Sequence, residues 1–231
     1  MGSFNTDIKS VNHANMDIKA KEIRAKAVEM NENLTKAYDI MKKLYSDNNW
    51  RGNRYNKVAE AFNKQTECLN DILRTTVTDI PFAIEVASNN YSSADGTGRP
   101  HQEIKKTIAQ IQKLSTSGET ETLTYLPNAV HTSQNSIVES INKAKANLES
   151  IIQLFGEVKW KTDGASVAFK KQLDQSKIKI DQAIKDVTKI INEQIDESDK
   201  AMASSEESST VTGSKAQLKL WIISTFFGDY A

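Results

Sequence analysis

Met16, Ala20, Ile23, Ala27, Met30, Leu34, Ala37, Met41 and Leu44 recur at alternating spacings of four and three. That rhythm places them on one stripe of a helix. It predicts a rod of about 42 Å at 1.5 Å per residue. The pattern stops at Ser46-Asp47-Asn48-Asn49, a cluster whose short polar side chains favour caps and turns. Tyr55, Ala59, Phe62, Thr66, Leu69, Leu73, Thr76 and Ile80 carry the same rhythm onward, through Ala87 to Tyr91. Pro81 interrupts it, and a proline inside a helix removes one hydrogen bond and crowds the preceding turn, so a kink or break is expected near Ile80. Two long helices joined by a short turn lie antiparallel.

Ser92 to Pro100 reads as a linker, with Gly96, Gly98 and Pro100 among small polar residues. Ile104, Ile108 and Ile111 then suggest a short helix, followed by a polar gap from Ser115 to Thr122. Pro127 suits the first turn of the next helix. Its seam is Ile137, Ile141, Ala144, Leu148, Ile151, Phe155 and Val158. A turn at Lys161-Thr162-Asp163-Gly164 follows, with Asp163 as candidate N-cap. The last long helix carries Phe169, Leu173, Ile180, Ile184, Val187, Ile191 and Ile195; Lys177 occupies a seam position and is expected to snorkel outward. Ala203 to Ser214, rich in Ser and Glu, is expected to be flexible. Leu218 to Phe227 is sharply apolar, and reads either as a tail folded onto the bundle or as a partner-binding or membrane-touching segment.

The predicted fold is therefore all-α: two long antiparallel helical hairpins packed as a four-helix bundle, with a short linker helix and a flexible tail. The divisions are 1–95 for the first hairpin, 96–127 for the linker, 128–203 for the second hairpin and 204–231 for the tail. The bundle members are Met16–Leu44, Tyr55–Tyr91, Ile137–Val158 and Ala165–Met202. A single hairpin leaves an apolar seam exposed. Two hairpins on one chain bury each other's seams, and their linker sets a high effective concentration.

Composition supports helices and narrows the chemistry. Charged residues are 26% of the chain, with 9 Gly and 3 Pro to interrupt it. Lys plus Arg is 30 and Asp plus Glu is 30, so there is no basic excess to recommend nucleic acid or an anionic membrane. Cys68 is the lone cysteine, set beside Leu69 as a small hydrophobe. His13, His101 and His131 lack metal-ligand spacing. No G-x-S-x-G, P-loop or H-E-x-x-H occurs, so neither enzyme chemistry nor a cofactor, metal or small-molecule substrate is expected. Met1 to Ser10 has no apolar core, so no cleavable signal peptide is expected there.

The turn between the first two helices reads Trp50-Arg51-Gly52, and Tyr91-Ser92-Ser93-Ala94-Asp95 closes the first hairpin. With these residues the chain resembles the WXG family of type VII secretion proteins, the early secreted antigenic target proteins. Members are helical hairpins with W-x-G at the bend and a C-terminal Tyr-x-x-x-Asp/Glu signal. The order and placement of the two motifs carry more weight than either alone. The second hairpin matches more loosely: Trp160 is followed by Gly164, no Tyr-x-x-x-acid pattern follows, and Pro81 is unusual for the family.

The resemblance implies a substrate or substrate-partner of a type VII secretion system in a Gram-positive bacterium. Such a protein is exported folded to the medium or the cell surface, and acts in virulence by binding. Tyr91 and Asp95 would serve as the secretion signal, Trp50, Gly52, Trp160 and Gly164 as the turn motifs. Its partners would be other helical hairpins, a helical toxin domain and the membrane-bound secretion ATPase. An intracellular coiled-coil scaffold fits the same heptads. A membrane-active helical toxin, entering through Leu218–Phe227, is a further alternative. Trp50 is expected to be only partly buried, one indole face near Lys43, Leu44 and Tyr55, with Ser92–Leu114 passing close by.

Overall fold

The computed structural model describes residues 12–94, 96, 108–118, 123–159 and 164–227, with the backbone alone at 164–165 and 206–227. Within them the fold is all-α. Helix α1 spans His13–Ser46, α2 Asn53–Arg74, α3 Ile80–Ala94, α4 Pro127–Gly156 and α5 Gly164–Phe227. Two very short strands, β1 (Trp50–Arg51) and β2 (Thr124–Tyr125), pair antiparallel beside the first hairpin turn.

Every seam position predicted for α1 is buried, from Met16 to Leu44. The helix is closed at its start by Asn12, whose side chain accepts from the Asn15 amide at 3.0 Å. The second rod is continuous, and Pro81 does not break it. A π-helical turn at Thr75–Asp79 joins α2 to α3, and the Ile80 amide donates to Thr75 O, five residues back. This is the physical answer to the expected kink. A proline ring collides with the carbonyl of the α-helical turn before it and offers no donor. One widened turn ahead of Pro81 shifts the carbonyl ladder out of α register, and Pro81 is buried within α3. The hydroxyl of Thr76 donates into the same region, to Ile72 O at 2.8 Å.

The two hairpins pack head to tail. Asn147 Nδ2 on α4 donates to Glu29 Oε2 on α1 at 2.9 Å, and Asn33 Nδ2 donates to Asn147 Oδ1 at 3.1 Å. Near one end Lys19 pairs with Glu157 at 2.6 Å, and the Lys159 amide donates to Asn15 Oδ1. At the other end the Leu126 amide donates to Asn49 O at 2.8 Å. Helix α5 lies along α2 and α4, so Phe62, Leu148, Ile141 and Val187 share one core with Leu34. Lys177 leaves its seam position outward, as expected, to pair with Glu149. Ser176 is buried next to it, its hydroxyl donating to Gln172 O at 2.8 Å.

One expectation for the connecting segments is corrected. Residues 108–118 are not helical. They form an extended strap along α2, in which Ile111, Leu114 and Ser117 are buried and the residues between them exposed. The spacing of Ile108 and Ile111 suits a helix, but here α2 supplies hydrogen bonds to the strap's backbone that a helix would have made internally. Ile104 lies outside the described residues. At the other end, the segment expected to be flexible continues the last helix: α5 runs unbroken for 64 residues to Phe227, about 96 Å at 1.5 Å per residue. Extending a formed helix adds one hydrogen bond per residue ordered, without a new nucleus.

Candidate functional site

Residues Asp47 to Gly52 connect the first two helices. Asp47 and Asn48 send their amides back to Lys43 O and Tyr45 O, closing α1, and Asn48 takes a positive φ of 59°. The chain then extends through Trp50 and Arg51. Gly52 has φ 103° and ψ −169°, a backbone state open essentially to glycine alone. It turns the chain directly into α2, and its amide donates to Ser117 Oγ at 3.0 Å.

Trp50 is only 2% exposed. This corrects the expected partial burial. Its indole packs edge-on against Tyr55 and against Tyr125, with both centroid distances 6.1 Å. Tyr125 comes from β2, which pairs with β1 in the register Trp50↔Tyr125 and Arg51↔Thr124. Among the described residues, the segment that covers the indole is therefore 123–126, after the strap. A hairpin end is too small to bury an indole unaided, and the segment that enters the second hairpin supplies the missing wall. Tyr45 stacks on Tyr55 at 5.2 Å, and the Arg51 guanidinium sits 4.5 Å over the Tyr45 ring while its Nε donates to Tyr45 O.

Two tyrosine hydroxyls here have opposite surroundings. Tyr125 donates to Asp199 Oδ1 at 2.6 Å, and the other oxygen of that carboxylate lies 3.0 Å from His131 Nε2. Burial, followed by the hydrogen bond to Asp199, pushes the Tyr125 phenol far above its ordinary value. Asp199 thus ties α5 to β2 and to α4 with one side chain. The Tyr55 hydroxyl is buried without a hydrogen-bond partner. Burial, and secondarily the neighbouring Tyr45, pushes it up to about 12.

A shallow recess opens beside this knot, lined by Arg51, Arg54, Leu123, Tyr125, Glu197 and Met202. Leu123 is 77% exposed at its rim and Arg54 lies 3.7 Å from Glu197. The recess has charges of both signs and an apolar lip. Among the described residues no three His, Cys, Asp or Glu side chains gather where they would hold a metal ion.

Of the sequence-predicted site residues, Trp50 and Gly52 are brought together with partners that sequence reasoning missed: Tyr125, Ser117 and Leu123. Tyr91 sits apart from them near the end of α3. It is half-buried, its ring centroid 6.5 Å from that of His13, which donates to Ser88 O at 3.0 Å. Gly164 is the first residue of α5. Asp95, Trp160 and the candidate cap Asp163 lie outside the described residues, as does His101. Among the described residues no helix is long and apolar enough to cross a membrane.

No model of a known protein family, no curated protein and no solved structure matches this chain.

Proposed function

We propose that this protein acts without chemistry, as a tandem-hairpin substrate or substrate-partner of a type VII secretion system that leaves the cell folded. The observation that supports the reading is the Trp50–Gly52 turn at the bend of a long antiparallel hairpin, with a second hairpin packed along the first. On this reading the second hairpin takes the place of a separate dimer partner, because both seams are buried within one chain. Recognition then falls to two places: Tyr91 with Asp95 for the membrane-bound ATPase, and the recess beside Arg54 and Leu123 for a helical toxin domain or another hairpin.

The test is export. The chain is expressed in a Gram-positive host with its secretion system intact and with the ATPase deleted, and culture supernatant is compared with cell lysate. The protein is expected outside the first strain and retained in the second. Equal amounts outside both strains overturn the reading. Tyr91→Ala and Asp95→Ala, checked for intact folding by circular dichroism, then assign the signal; normal export of both removes those residues from it.

A further inference from the structure

Asn56, Asn63 and Asn70 stand one heptad apart on α2, and each spends its carboxamide on the main chain of the strap. Asn56 Nδ2 donates to Ser117 O at 3.0 Å and its Oδ1 accepts from the Ser117 amide at 2.7 Å. Asn63 does the same with Leu114, at 3.0 and 2.7 Å, and Asn70 with Ile111, at 3.1 and 2.9 Å. The strap therefore runs antiparallel to α2, in a register of one helical heptad to three extended residues. The lengths agree. Seven helical residues rise about 10.5 Å, and three extended residues span about 9.3–10 Å.

Each carboxamide meets both the N–H and the C=O of one residue, as a neighbouring strand would. Asparagine is suited to this, since it has a donor and an acceptor at one fixed separation. An ionised Asp offers acceptors alone. Such contacts are blind to the side chain of the residue they hold. Selection comes from the positions that point inward, where Ile111 is 3% and Leu114 8% exposed. Between the anchors Gln112, Lys113, Ser115 and Thr116 are exposed, and of these Lys113 reaches Glu67 on α2 at 3.6 Å.

We propose that the asparagine face of α2 is a binding groove for an extended polypeptide, with residues 108–118 as its built-in occupant. The partner it fits is an extended segment with two aliphatic side chains three residues apart and a small residue three further on, following the order Ile111, Leu114, Ser117. The built-in strap is an intramolecular competitor, so a partner's segment gains the groove by displacing it. This proposal does not depend on export.

The test uses a fluorescein-labelled peptide of residues 108–118 and a full-length variant in which 108–118 is replaced by a Gly/Ser stretch of equal length. Fluorescence anisotropy is expected to show saturable binding to that variant, and at least tenfold weaker binding to the wild-type chain. Adding Asn63→Ala to the variant is expected to weaken binding at least tenfold. A folded variant that fails to bind, or that binds equally well with Asn63→Ala, overturns the proposal. If the variant does not fold, native-state hydrogen exchange on the wild-type chain decides. The amides of Ile111, Leu114 and Ser117 are expected to exchange through a local opening, faster than that of Ala27 in α1. Asn63→Ala is expected to speed all three together. Exchange of the strap amides only with global unfolding means that the groove never opens, and overturns the proposal.

Discussion

Gly52 and Leu123 stand so close that a β-carbon added to the glycine would lie 2.3 Å from Leu123 Cδ2. The contact joins the first hairpin turn to the segment that enters the second hairpin. Two separate costs meet at this position, and they are separable by experiment. Leu123 is 77% exposed, so its side chain can swing aside. The backbone at φ 103° cannot be relieved in that way. Gly52→Ala is expected to lose about 1–3 kcal/mol from backbone strain, a melting temperature lower by roughly 2–12 °C for a chain of this size. The same loss is expected in a Leu123→Ala background. Recovery of the melting temperature in the double variant would assign the cost to the contact instead.

Trp50→Ala is expected to behave as a core truncation, with a loss of about 3–5 kcal/mol measured by urea unfolding. The indole is enclosed by Tyr55 and Tyr125, one from each side of the hairpin junction. Its loss is therefore expected to loosen Tyr125 as well. A loss below about 1 kcal/mol would return Trp50 to the surface role that partial burial implies.

The long seams were legible because a helix of this length repeats its inward position many times, and a single exception such as Lys177 does not hide the period. Pro81 was legible as a disturbance but not as a π turn, since the carbonyl ladder is set by tertiary packing on α1 as much as by the ring. The Trp50 clasp was half legible. W-x-G marks a turn, yet the wall that buries the indole comes from Tyr125, a long way along the chain, in a segment with no periodic signal. The strap was misread for a definite reason. Ile108 and Ile111 fit a helix, while the evidence against it lay in another element, the heptad of Asn56, Asn63 and Asn70, which supplies the strap's hydrogen bonds from outside.

The Tyr55 hydroxyl, buried and unpaired, makes Tyr55→Phe a clean probe. Removing a polar group that has lost its water and found no partner is expected to be neutral or stabilising at pH 7. The alkaline limb gives an independent check. Both Tyr55 and Tyr38 are pushed up to about 12, chiefly by burial. A folded-state value above the unfolded one near 10 means that the folded chain holds its proton more tightly. The resulting stability is complete below about pH 10 and is lost as pH rises towards 12. Urea unfolding across that window is expected to show a steep decline for the wild-type chain and a shallower one for Tyr55→Phe. Equal slopes would mean that the Tyr55 phenol titrates at the same pH in the folded and the unfolded chain. Tyr38→Phe differs, because its hydroxyl donates to Phe62 O at 2.7 Å, and it is expected to cost about 1 kcal/mol at pH 7.

Arg24 on α1 and Glu85 on α3 meet at 2.8 Å with their side chains 9% and 13% exposed. The pair is incompletely satisfied: Arg24 Nε and Nη2 and Glu85 Oε2 have no hydrogen-bond partner. A charge pair taken out of water gains its attraction against a desolvation cost of similar size, and orphaned donors tilt the balance against it. The pair's net contribution to stability is therefore small, while each member depends strongly on the other. Glu85→Ala is expected to cost about 3–5 kcal/mol, because it leaves the Arg24 guanidinium buried and unpaired. Replacing both, as Arg24→Met with Glu85→Leu, is expected to be neutral or stabilising by about 1–4 kcal/mol. A double-mutant cycle followed by urea unfolding measures this directly. Should the double replacement cost as much as the single one, the pair is a net source of stability. The register of α3 on α1, just before Tyr91, would then rest on it.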